Sequence, residues 1–275
     1  MKKFFTLAAV CAAAAAGLAG CGDKKDAAPA QASAPQAAVT ITVGATPVPH
    51  ADILKFVQPE LKKQGVDMKI IEFSDYVKPN MALADKEIDA NFFQHKPYLD
   101  SFAKERGLKL SVLTTVHIEP MGVYSKKYKD VKSFGDGIKV AIPNDPTNGG
   151  RALKVLADAG FFSLKDGVGV NGTPADIVNN TRNVQVVEME AAVLPRTLDD
   201  VDYAVINSNF AMGVGLNPSK DSLFTESKDS PYANVVAIRE GDNREAIKKL
   251  GAAMTTPAVR DFIMNTYKGA VLPAF

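Results

Sequence analysis

The chain has 275 residues, of which 46% are apolar and 23% are charged. This length fits one large domain or two ordinary ones, and the apolar content is enough for a proper core, so a peptide, a single small module and a disordered chain are excluded. The 32 basic and 31 acidic residues nearly balance, which argues against nucleic-acid binding. Both cysteines, Cys11 and Cys21, lie in the first 21 residues, so the rest of the chain has no thiol for a disulfide or a thiolate metal site.

The N-terminus has the organisation of a secretory signal peptide. Lys2 and Lys3 precede seventeen uncharged residues, 4–20, that are mostly Ala, Leu, Phe and Val. A transmembrane helix is the alternative, but a helix that spans a bilayer needs about 20 strongly apolar residues, and this stretch is shorter and rich in alanine. We therefore predict that residues 1–20 are a signal peptide.

The signal peptide ends in Leu-Ala-Gly-Cys at residues 18–21, which resembles the lipobox of bacterial lipoproteins. That resemblance implies that Cys21 becomes the first residue of the mature protein and carries palmitate or a similar acyl chain; a signal peptide with a chance cysteine is the alternative. Residues 22–38 contain seven Ala, two Pro and two Gln without apolar periodicity, which predicts a linker. Such a linker reaches about 25 Å as a coil and about 55 Å when stretched. We predict that residues 21–38 tether a folded domain to a membrane.

From residue 39 onward, strand patterns alternate with helix patterns. Residues 39–44 read Val-Thr-Ile-Thr-Val-Gly, the alternation of a half-buried strand, and apolar residues at helical spacing follow between Ile53 and Leu61. We expect Pro59 to kink that helix or to delay its start. Further strands are predicted at residues 68–73, 88–93, 108–116, 121–124, 138–142, 184–188, 203–206 and 233–239. Further helices are predicted at residues 77–86, 97–106 and 148–159, near 173–174, from 209, and at 244–254 and 259–267.

This alternation predicts an α/β protein with mixed, mostly parallel sheets. The pattern restarts after about 85 folded residues, which suggests two lobes. We assign residues 39–118 together with 237–275 to lobe 1, and residues 119–236 to lobe 2, with a hinge between them. One continuous open sheet is the alternative. In the two-lobed arrangement, polar and aromatic groups converge on a cleft between the lobes.

The sequence lacks the common catalytic and metal-binding motifs. His50, His95 and His117 are far apart in the sequence and do not have the spacing of zinc ligands, and the nucleophile-elbow, P-loop and dinucleotide-binding patterns are absent. The carboxylates of residues 199–202 are typical of a solvated turn. We therefore predict no enzymatic activity, no cofactor and no metal; an enzyme whose site matches none of these motifs is the alternative.

Short segments next to predicted strands are instead rich in side chains that recognise a ligand without reacting with it. They are residues 73–80, 89–98, 142–151, 205–209 and 232–234. Ligands of open α/β sheets bind beyond the carboxyl ends of strands, and the helix start near Arg151 suits a carboxylate or another small anion. A core role for the aromatic residues of 89–98 is the alternative, as is helix capping by Thr147 or Asn148.

Five motifs in this order resemble the NlpA-type methionine-binding lipoproteins, which are the substrate-binding subunits of methionine ABC importers. They are Asp-Tyr-Val-x-Pro-Asn at 75–80, Phe-Gln-His-Lys-Pro-Tyr-Leu at 93–99, Pro-Asn-Asp-Pro-Thr-Asn at 143–148, Glu-x-Glu-Ala-x-x-Leu-Pro-Arg at 188–196 and Pro-Tyr-x-Asn at 231–234. The resemblance covers the lipobox and nearly all of residues 39–275. It implies a two-lobed periplasmic-binding-protein fold, type II-like, that closes on its ligand. It also implies delivery of that ligand to a membrane permease with an ATPase subunit, from a lipid anchor facing the periplasm or the cell exterior.

Matching the family motifs residue by residue gives a ligand pocket in this chain. Its members are Tyr76, Phe93, His95, Tyr98, Asn148, Arg151, Asn207 and Asn234. The chemistry fits an amino acid, because Arg151 suits a carboxylate, asparagine oxygens suit an ammonium group, and aromatic rings contact a thioether for about 0.3 to 1.5 kcal/mol each. Residues 148–151 and 207–210 are smaller than the relatives' motif, so the preference among L-methionine, D-methionine and a derivative stays open. Another small amino acid or a peptide as ligand, or an adhesin-type envelope lipoprotein, are the alternatives.

Overall fold

The structure is a computed structural model that describes residues 38–227 and 230–275. The predicted signal peptide, the lipidation site Cys21 and the linker up to residue 37 lie outside these ranges. Within them, no helix combines the length and the apolar character needed to cross a membrane.

The strands and helices alternate along the described chain, as predicted. The strands are β1 (Val39–Ala45), β2 (Val66–Glu72), β3 (Ala90–His95), β4 (Leu110–Ile118), β5 (Gly122–Tyr124), β6 (Lys139–Pro143), β7 (Ser163–Leu164), β8 (Ile177–Val178), β9 (Gln185–Met189), β10 (Tyr203–Ile206), β11 (Phe224–Thr225), β12 (Ala233–Arg239) and β13 (Leu272–Pro273). The α-helices are α1 (Asp52–Lys63), α2 (Lys78–Ala84), α3 (Lys96–Arg106), α4 (Pro146–Asp158), α5 (Ser208–Gly213), α6 (Pro218–Asp221), α7 (Glu245–Ala253) and α8 (Pro257–Tyr267). Short helical turns occur at Pro47–Ala51, Pro174–Asp176 and Leu194–Thr197.

Two main sheets form the centres of two lobes. The larger sheet has the strand order β13-β4-β12-β3-β1-β2, and the smaller has the order β11-β5-β10-β6-β9. Strand β12 lies between β3 and β4, so the chain crosses to the smaller sheet after β4 and returns before β12. All of Ala233–Arg239 pairs within the larger sheet. The lobe boundaries at 118/119 and 236/237 stay a prediction.

Each sheet combines parallel and antiparallel strands. Strand β1 is parallel to β2 and β3, and β6 is parallel to β9 and β10. Strand β12 is antiparallel to β3 and β4, and β5 is antiparallel to β10 and β11. Antiparallel pairing is therefore more extensive than the strand–helix alternation predicted, because β12 re-enters the larger sheet between strands that run in the opposite direction.

Helix α1 shows how apolar spacing fixes an element against the larger sheet. Its buried residues Ile53, Leu54, Val57 and Leu61 lie on one face, and each buried aliphatic side chain stabilises the fold by about 1.5 to 3 kcal/mol. The expected late start is wrong, because the helix begins at Asp52 and continues through Pro59 to Lys63. Because proline has no N–H, the Lys55 carbonyl lacks the helical hydrogen bond that residue 59 would otherwise donate. Both residues are exposed, so water can donate to that carbonyl instead.

Candidate functional site

The carboxyl ends of strands from both sheets face one cavity between the lobes. All eight residues predicted for the pocket line it, and four further residues complete the lining. The full set is Tyr76, Phe93, Gln94, His95, Tyr98, Glu119, Asn148, Arg151, Asn207, Ser208, Asn209 and Asn234. Sequence reasoning therefore placed its eight candidates together. Of the other four, Gln94, Ser208 and Asn209 lie in the segments 89–98 and 205–209 that it singled out, and Glu119 lies in none of them.

The cavity is narrow in this conformation. The space between its lining atoms is about 320 Å³, but only about 20 Å³ can hold the centre of a water molecule. One ordered water needs roughly 10 to 15 Å³ by this second measure, so the cavity as it stands has room for a water or two. An amino acid enters only when the lobes or the lining side chains move apart.

His95 connects the two lobes at the end of β3. Its Nδ1 accepts a hydrogen bond from the main-chain N–H of Tyr98 at 3.1 Å, which caps helix α3 and leaves the ring proton on Nε2. That Nε2–H donates to Asn148 Oδ1 of the smaller lobe at 3.1 Å. Burial, reinforced by the nearby Arg151 charge, lowers the pKa of His95 to about 3, so the ring is neutral at physiological pH.

Three aromatic rings, Tyr76, Phe93 and Tyr98, form one wall of the cavity. The Tyr76 ring centroid lies 5.8 Å from those of both Phe93 and Tyr98, within the usual range for aromatic contacts. The Tyr76 hydroxyl donates to Asn209 Oδ1 of the smaller lobe at 2.6 Å, and the Tyr98 hydroxyl donates to the Tyr76 carbonyl at 3.0 Å. Phe93 also packs in an apolar cluster with Tyr98 and Phe102, so the core alternative for the rings holds alongside their place in the pocket.

Asp145 organises the start of helix α4. Its carboxylate caps the helix by accepting the Asn148 main-chain N–H at 2.9 Å, and it also accepts the Asn148 side-chain amide at 3.0 Å. The alternative that Thr147 or Asn148 caps the helix is therefore wrong, because Asp145 is the cap and the helix begins earlier, at Pro146. Asn148 is instead fixed by Asp145, His95 and Asn207, whose amide donates to Asn148 Oδ1 at 2.8 Å.

Asn207 has a buried side-chain acceptor that faces the cavity without a partner among the described residues. Its side-chain amide nitrogen is held by Asn148, while its Oδ1 is buried and has no hydrogen-bond partner among the described residues. A buried carbonyl oxygen without a donor costs about 1 to 3 kcal/mol, which a ligand N–H recovers on binding. Asn207 directly follows β10, as expected from the polar residues that follow the predicted strand 203–206.

The glycine pair in α4 has a packing reason. A Cβ on Gly150 would lie 2.3 Å from the Val170 carbonyl oxygen and 2.7 Å from the Gly172 nitrogen. A Cβ on Gly149 would lie 3.0 Å from the Pro143 carbonyl oxygen. The main chain near Val170 therefore approaches the helix closely, and a side chain at Gly150 would displace it.

Arg151 is buried and already engaged. Its Nε lies 3.1 and 3.0 Å from the two carboxylate oxygens of Glu226, its Nη2 donates to the Glu119 carbonyl at 2.7 Å, and its guanidinium carbon lies 4.2 Å from the centre of the Tyr232 ring. The second terminal nitrogen, Nη1, has no hydrogen-bond acceptor among the described residues. Sequence reasoning missed Glu226, because it lies in a polar stretch, residues 217–231, that has no periodic pattern.

Glu119 forms a buried cluster with two of the three histidines. Its Oε1 lies 2.7 Å from His117 Nε2 and 3.2 Å from His50 Nε2, and Asn209 donates a main-chain N–H to the carboxylate. Burial raises the pKa of Glu119 and lowers that of His50 to about 4 and that of His117 to about 3. Both imidazoles are therefore neutral at physiological pH. His117 and Glu119 are two residues apart at the end of a strand, which places them on one face, and this signal was readable in the sequence.

The same cluster has donor types that zinc accepts. One donor atom from each of His50, His117 and Glu119 lies within 4.8 Å of the others. Ligands of tetrahedral zinc at about 2.0 to 2.2 Å are about 3.3 Å apart, whereas the imidazole nitrogens here lie at hydrogen-bond distances of 2.7 and 3.2 Å from the carboxylate oxygen. In this conformation His117 Nε2 therefore hydrogen-bonds the Glu119 carboxylate, and His50 Nε2 hydrogen-bonds Asn234 Oδ1.

Two lobes that close a polar and aromatic pocket define the class of the periplasmic solute-binding proteins. A nutrient-binding protein from Burkholderia cenocepacia, solved bound to methionine, is similar with a TM-score of 0.83 and 45% identity, covering 86% of this chain and 100% of that one. The D-methionine-binding lipoproteins MetQ of Salmonella typhimurium and Escherichia coli K12 are 44% and 42% identical, each over 98% of this chain and 98% of their own length.

The sequence profile of the NlpA lipoproteins matches residues 41–275. The chain belongs to the NlpA lipoprotein family. Its relatives are named for binding a substrate, not for catalysis, in agreement with the prediction that the protein is not an enzyme.

Proposed function

We propose that this protein is a lipid-anchored binding protein that captures methionine between its two lobes and delivers it to an ABC importer. The observation that carries the proposal is that the cavity joins one buried guanidinium, an aromatic wall and a buried, unpartnered amide oxygen. The methionine-bound structure and the MetQ lipoproteins named above support the choice of ligand.

Each part of methionine has a matching group in the cavity. The carboxylate pairs with Arg151 through Nη1, the amide oxygen of Asn207 accepts from the ammonium group, and Tyr76, Phe93 and Tyr98 contact the thioether. Asn234 lies at the start of β12, and its Oδ1 is 3.0 Å from Nε2 of His50. This hydrogen bond turns the amide N–H groups of Asn234 away from the His50 ring. These pairings together select an amino acid with a flexible, polarizable side chain.

Membership of the NlpA lipoprotein family supports the proposed anchor and partner. Acylation at Cys21 holds the protein on a membrane, with the binding lobes facing the periplasm or the cell exterior, and the linker to residue 38 lets them reach a permease and its ATPase subunit. We place the hinge where the chain passes between the sheets, after β4 and before β12. Uptake of labelled methionine by cells that lack the protein tests delivery.

Calorimetry on ligand-stripped protein tests the binding proposal. The protein is unfolded, dialysed and refolded, and then titrated with L-methionine, D-methionine and norleucine, which replaces the thioether sulfur by a methylene. We expect methionine to bind more tightly than norleucine, and the two enantiomers settle the stereochemical preference. Folded protein that gives no heat with either methionine enantiomer would overturn the proposal.

Mass spectrometry of protein purified from cells separates the alternatives. Bound methionine supports the proposal, and a different amino acid or a peptide assigns the same fold to another ligand. Protein that carries no small molecule and binds none in titration favours an envelope interaction role.

A further inference from the structure

Glu119 lies at the point where the chain leaves the larger sheet. Its carboxylate lines the ligand cavity although the residue is only 5% exposed. The Nε2 atoms of His117 and His50 lie 2.7 and 3.2 Å from its Oε1, and the main-chain N–H of Asn209 also bonds the carboxylate. Because an ionised carboxylate only accepts hydrogen bonds, neutral His117 donates its Nε2–H to Glu119, while the Nε2–H of His50 donates to Asn234 Oδ1 at 3.0 Å.

The histidines are themselves held in place for this role. Thr46 Oγ1 lies 2.7 Å from His50 Nδ1, so the threonine hydroxyl donates and the ring proton stays on Nε2. The His50 ring also contacts the rings of Phe92 and His117, with centroids 4.7 and 5.0 Å away. The orientation of the carboxylate is therefore fixed before a ligand arrives.

The charges around the cavity do not cancel. Arg151 is paired with Glu226, and its only contact with Glu119 is to the main-chain carbonyl. Among the described residues, no lysine or arginine lies within ion-pair distance of the Glu119 carboxylate. The Arg151 charge acts on the Glu119 carboxylate without direct contact, so burial still costs free energy, and a cation beside the carboxylate recovers that cost.

We propose that Glu119, positioned by His50 and His117, binds the ammonium group of the ligand and makes the pocket selective for a free cationic amine. The inference rests on the proposed function insofar as it takes an amino acid as the ligand. The unpartnered Oδ1 of Asn207 lines the same cavity and adds a neutral acceptor for the same group. The ligand ammonium then neutralises Glu119, while Arg151 takes the carboxylate.

Two ligands and two proteins test this assignment. The ligands are methionine and 4-(methylsulfanyl)butanoic acid, which is methionine without its amino group. The proteins are the wild type and Glu119→Gln, which keeps the shape and removes the charge. We expect the wild type to prefer methionine by at least about 30-fold, and Glu119→Gln to lose most of that preference while its affinity for the deaminated acid changes less than threefold. Asp199→Asn, at an exposed surface carboxylate, is the matched control and keeps the wild-type preference.

Each other outcome contradicts the proposal. A Glu119→Gln protein that weakens both ligands equally shows a structural role, and one that binds both like the wild type removes Glu119 from recognition. Wild type that prefers methionine by less than threefold overturns the proposal even if Glu119→Gln does not fold. Methionine binding that is lost in EDTA and restored by zinc shows that the cluster holds a metal instead.

The experiment also distinguishes this inference from the proposed function. If the wild type does not bind methionine, the twenty standard amino acids are screened and the comparison is repeated with the one that binds and its deaminated analogue. Binding of another amino acid with the same Glu119 dependence leaves the ammonium assignment standing and removes methionine. Binding of none of them removes both.

Discussion

Arg151 holds the carboxylate of Glu226 with its Nε edge, at 3.1 and 3.0 Å from the two oxygens. Arg151, which we expected to pair with a ligand carboxylate, is therefore already paired with a carboxylate of the protein. This pair compensates the charge of a buried guanidinium and fixes its orientation, and in the binding mode that we propose Nη1 is left for the ligand carboxylate. Removing Arg151 consequently affects two carboxylates.

Arg151→Ala is expected to weaken methionine binding by roughly 30-fold to several thousand-fold, since a desolvated charge pair is broken. Arg151→Lys recovers only part, because an ammonium lacks the planar fork. The single change also strands Glu226, so the double variant Arg151→Ala/Glu226→Gln is the control for stability. Calorimetric titration measures the effect, and an affinity within threefold of the wild type takes Arg151 out of the site.

Ligand is expected to shift the protein from open to closed. In the described structure, Tyr76 and His95 of the larger lobe hydrogen-bond Asn209 and Asn148 of the smaller lobe, and the enclosed space is too small for an amino acid to enter. Small-angle scattering of stripped protein should show a smaller radius of gyration after methionine is added. An unchanged radius, with binding confirmed by calorimetry, counts against closure.

Gly150→Ala is expected to destabilise the fold by about 1 to 3 kcal/mol, because the new methyl group meets the Val170 carbonyl oxygen. Gly213→Ala is the matched control: a methyl group on this helical glycine would have no neighbouring atom within 4 Å, so the change is neutral or stabilises by up to about 1 kcal/mol. Urea unfolding measures both. Equal stability of the two variants would show that the main chain near Val170 moves aside freely.

His95 is expected to make stability depend on pH. Its pKa is about 3 in the folded protein and about 6.5 when unfolded, so between these values the unfolded chain binds a proton that the folded chain does not. The contribution of His95 to stability is therefore lost as the pH falls below about 6.5, and reaches about 3 kcal/mol by pH 4. Burial raises the pKa values of Glu119 and Asp145, which act in the opposite direction.

His95→Asn isolates that contribution, because asparagine still caps helix α3. Urea unfolding from pH 7 to pH 4 should show a smaller loss of stability in this variant than in the wild type. Parallel pH curves would mean that His95 is protonated in the folded protein or that its unfolded pKa is not the reference value.

Cys21→Ser is expected to abolish acylation and move the protein into the soluble fraction, because the anchor that we propose is an acyl chain on Cys21. Membrane fractionation and mass spectrometry of the mature N-terminus measure the two effects. A variant that stays in the membrane fraction contradicts the anchor at Cys21.

Local patterns predicted the elements well, and the partners of buried charges poorly. The alternation in residues 39–44 and the spacing from Ile53 to Leu61 both gave elements that the structure contains, because burial of one face imposes a period on the sequence. Glu226 and Arg151 are 75 residues apart and meet only through the fold. From the sequence alone, a polar residue in a turn that faces water cannot be distinguished from one that faces a buried guanidinium.

The family motifs located the pocket where periodicity did not. All eight residues carried over by motif line one cavity, because the ends of strands in two sheets face each other there. Glu119 lies outside the family motifs and outside the segments that the sequence singled out, while Asn209 belongs to segment 205–209 but not to the eight. The place of Glu119 in the cavity depends on the crossing between the sheets, which no local signal encodes.

Arg151 contacts both chain segments that join the sheets. Glu119 lies on the outgoing segment after β4, and Glu226 lies on the returning segment after β11. The two segments also bond each other, since the Glu226 N–H donates to the Met121 carbonyl at 3.0 Å and the Met121 N–H donates to Glu226 Oε1 at 3.0 Å. Atoms close to a rotation axis travel least, so we expect Arg151 to keep its place while the rim opens. An arriving amino acid would then bind first at Arg151, near the rotation axis. The hydrogen bonds that Tyr76 and His95 make across the cleft would form afterwards.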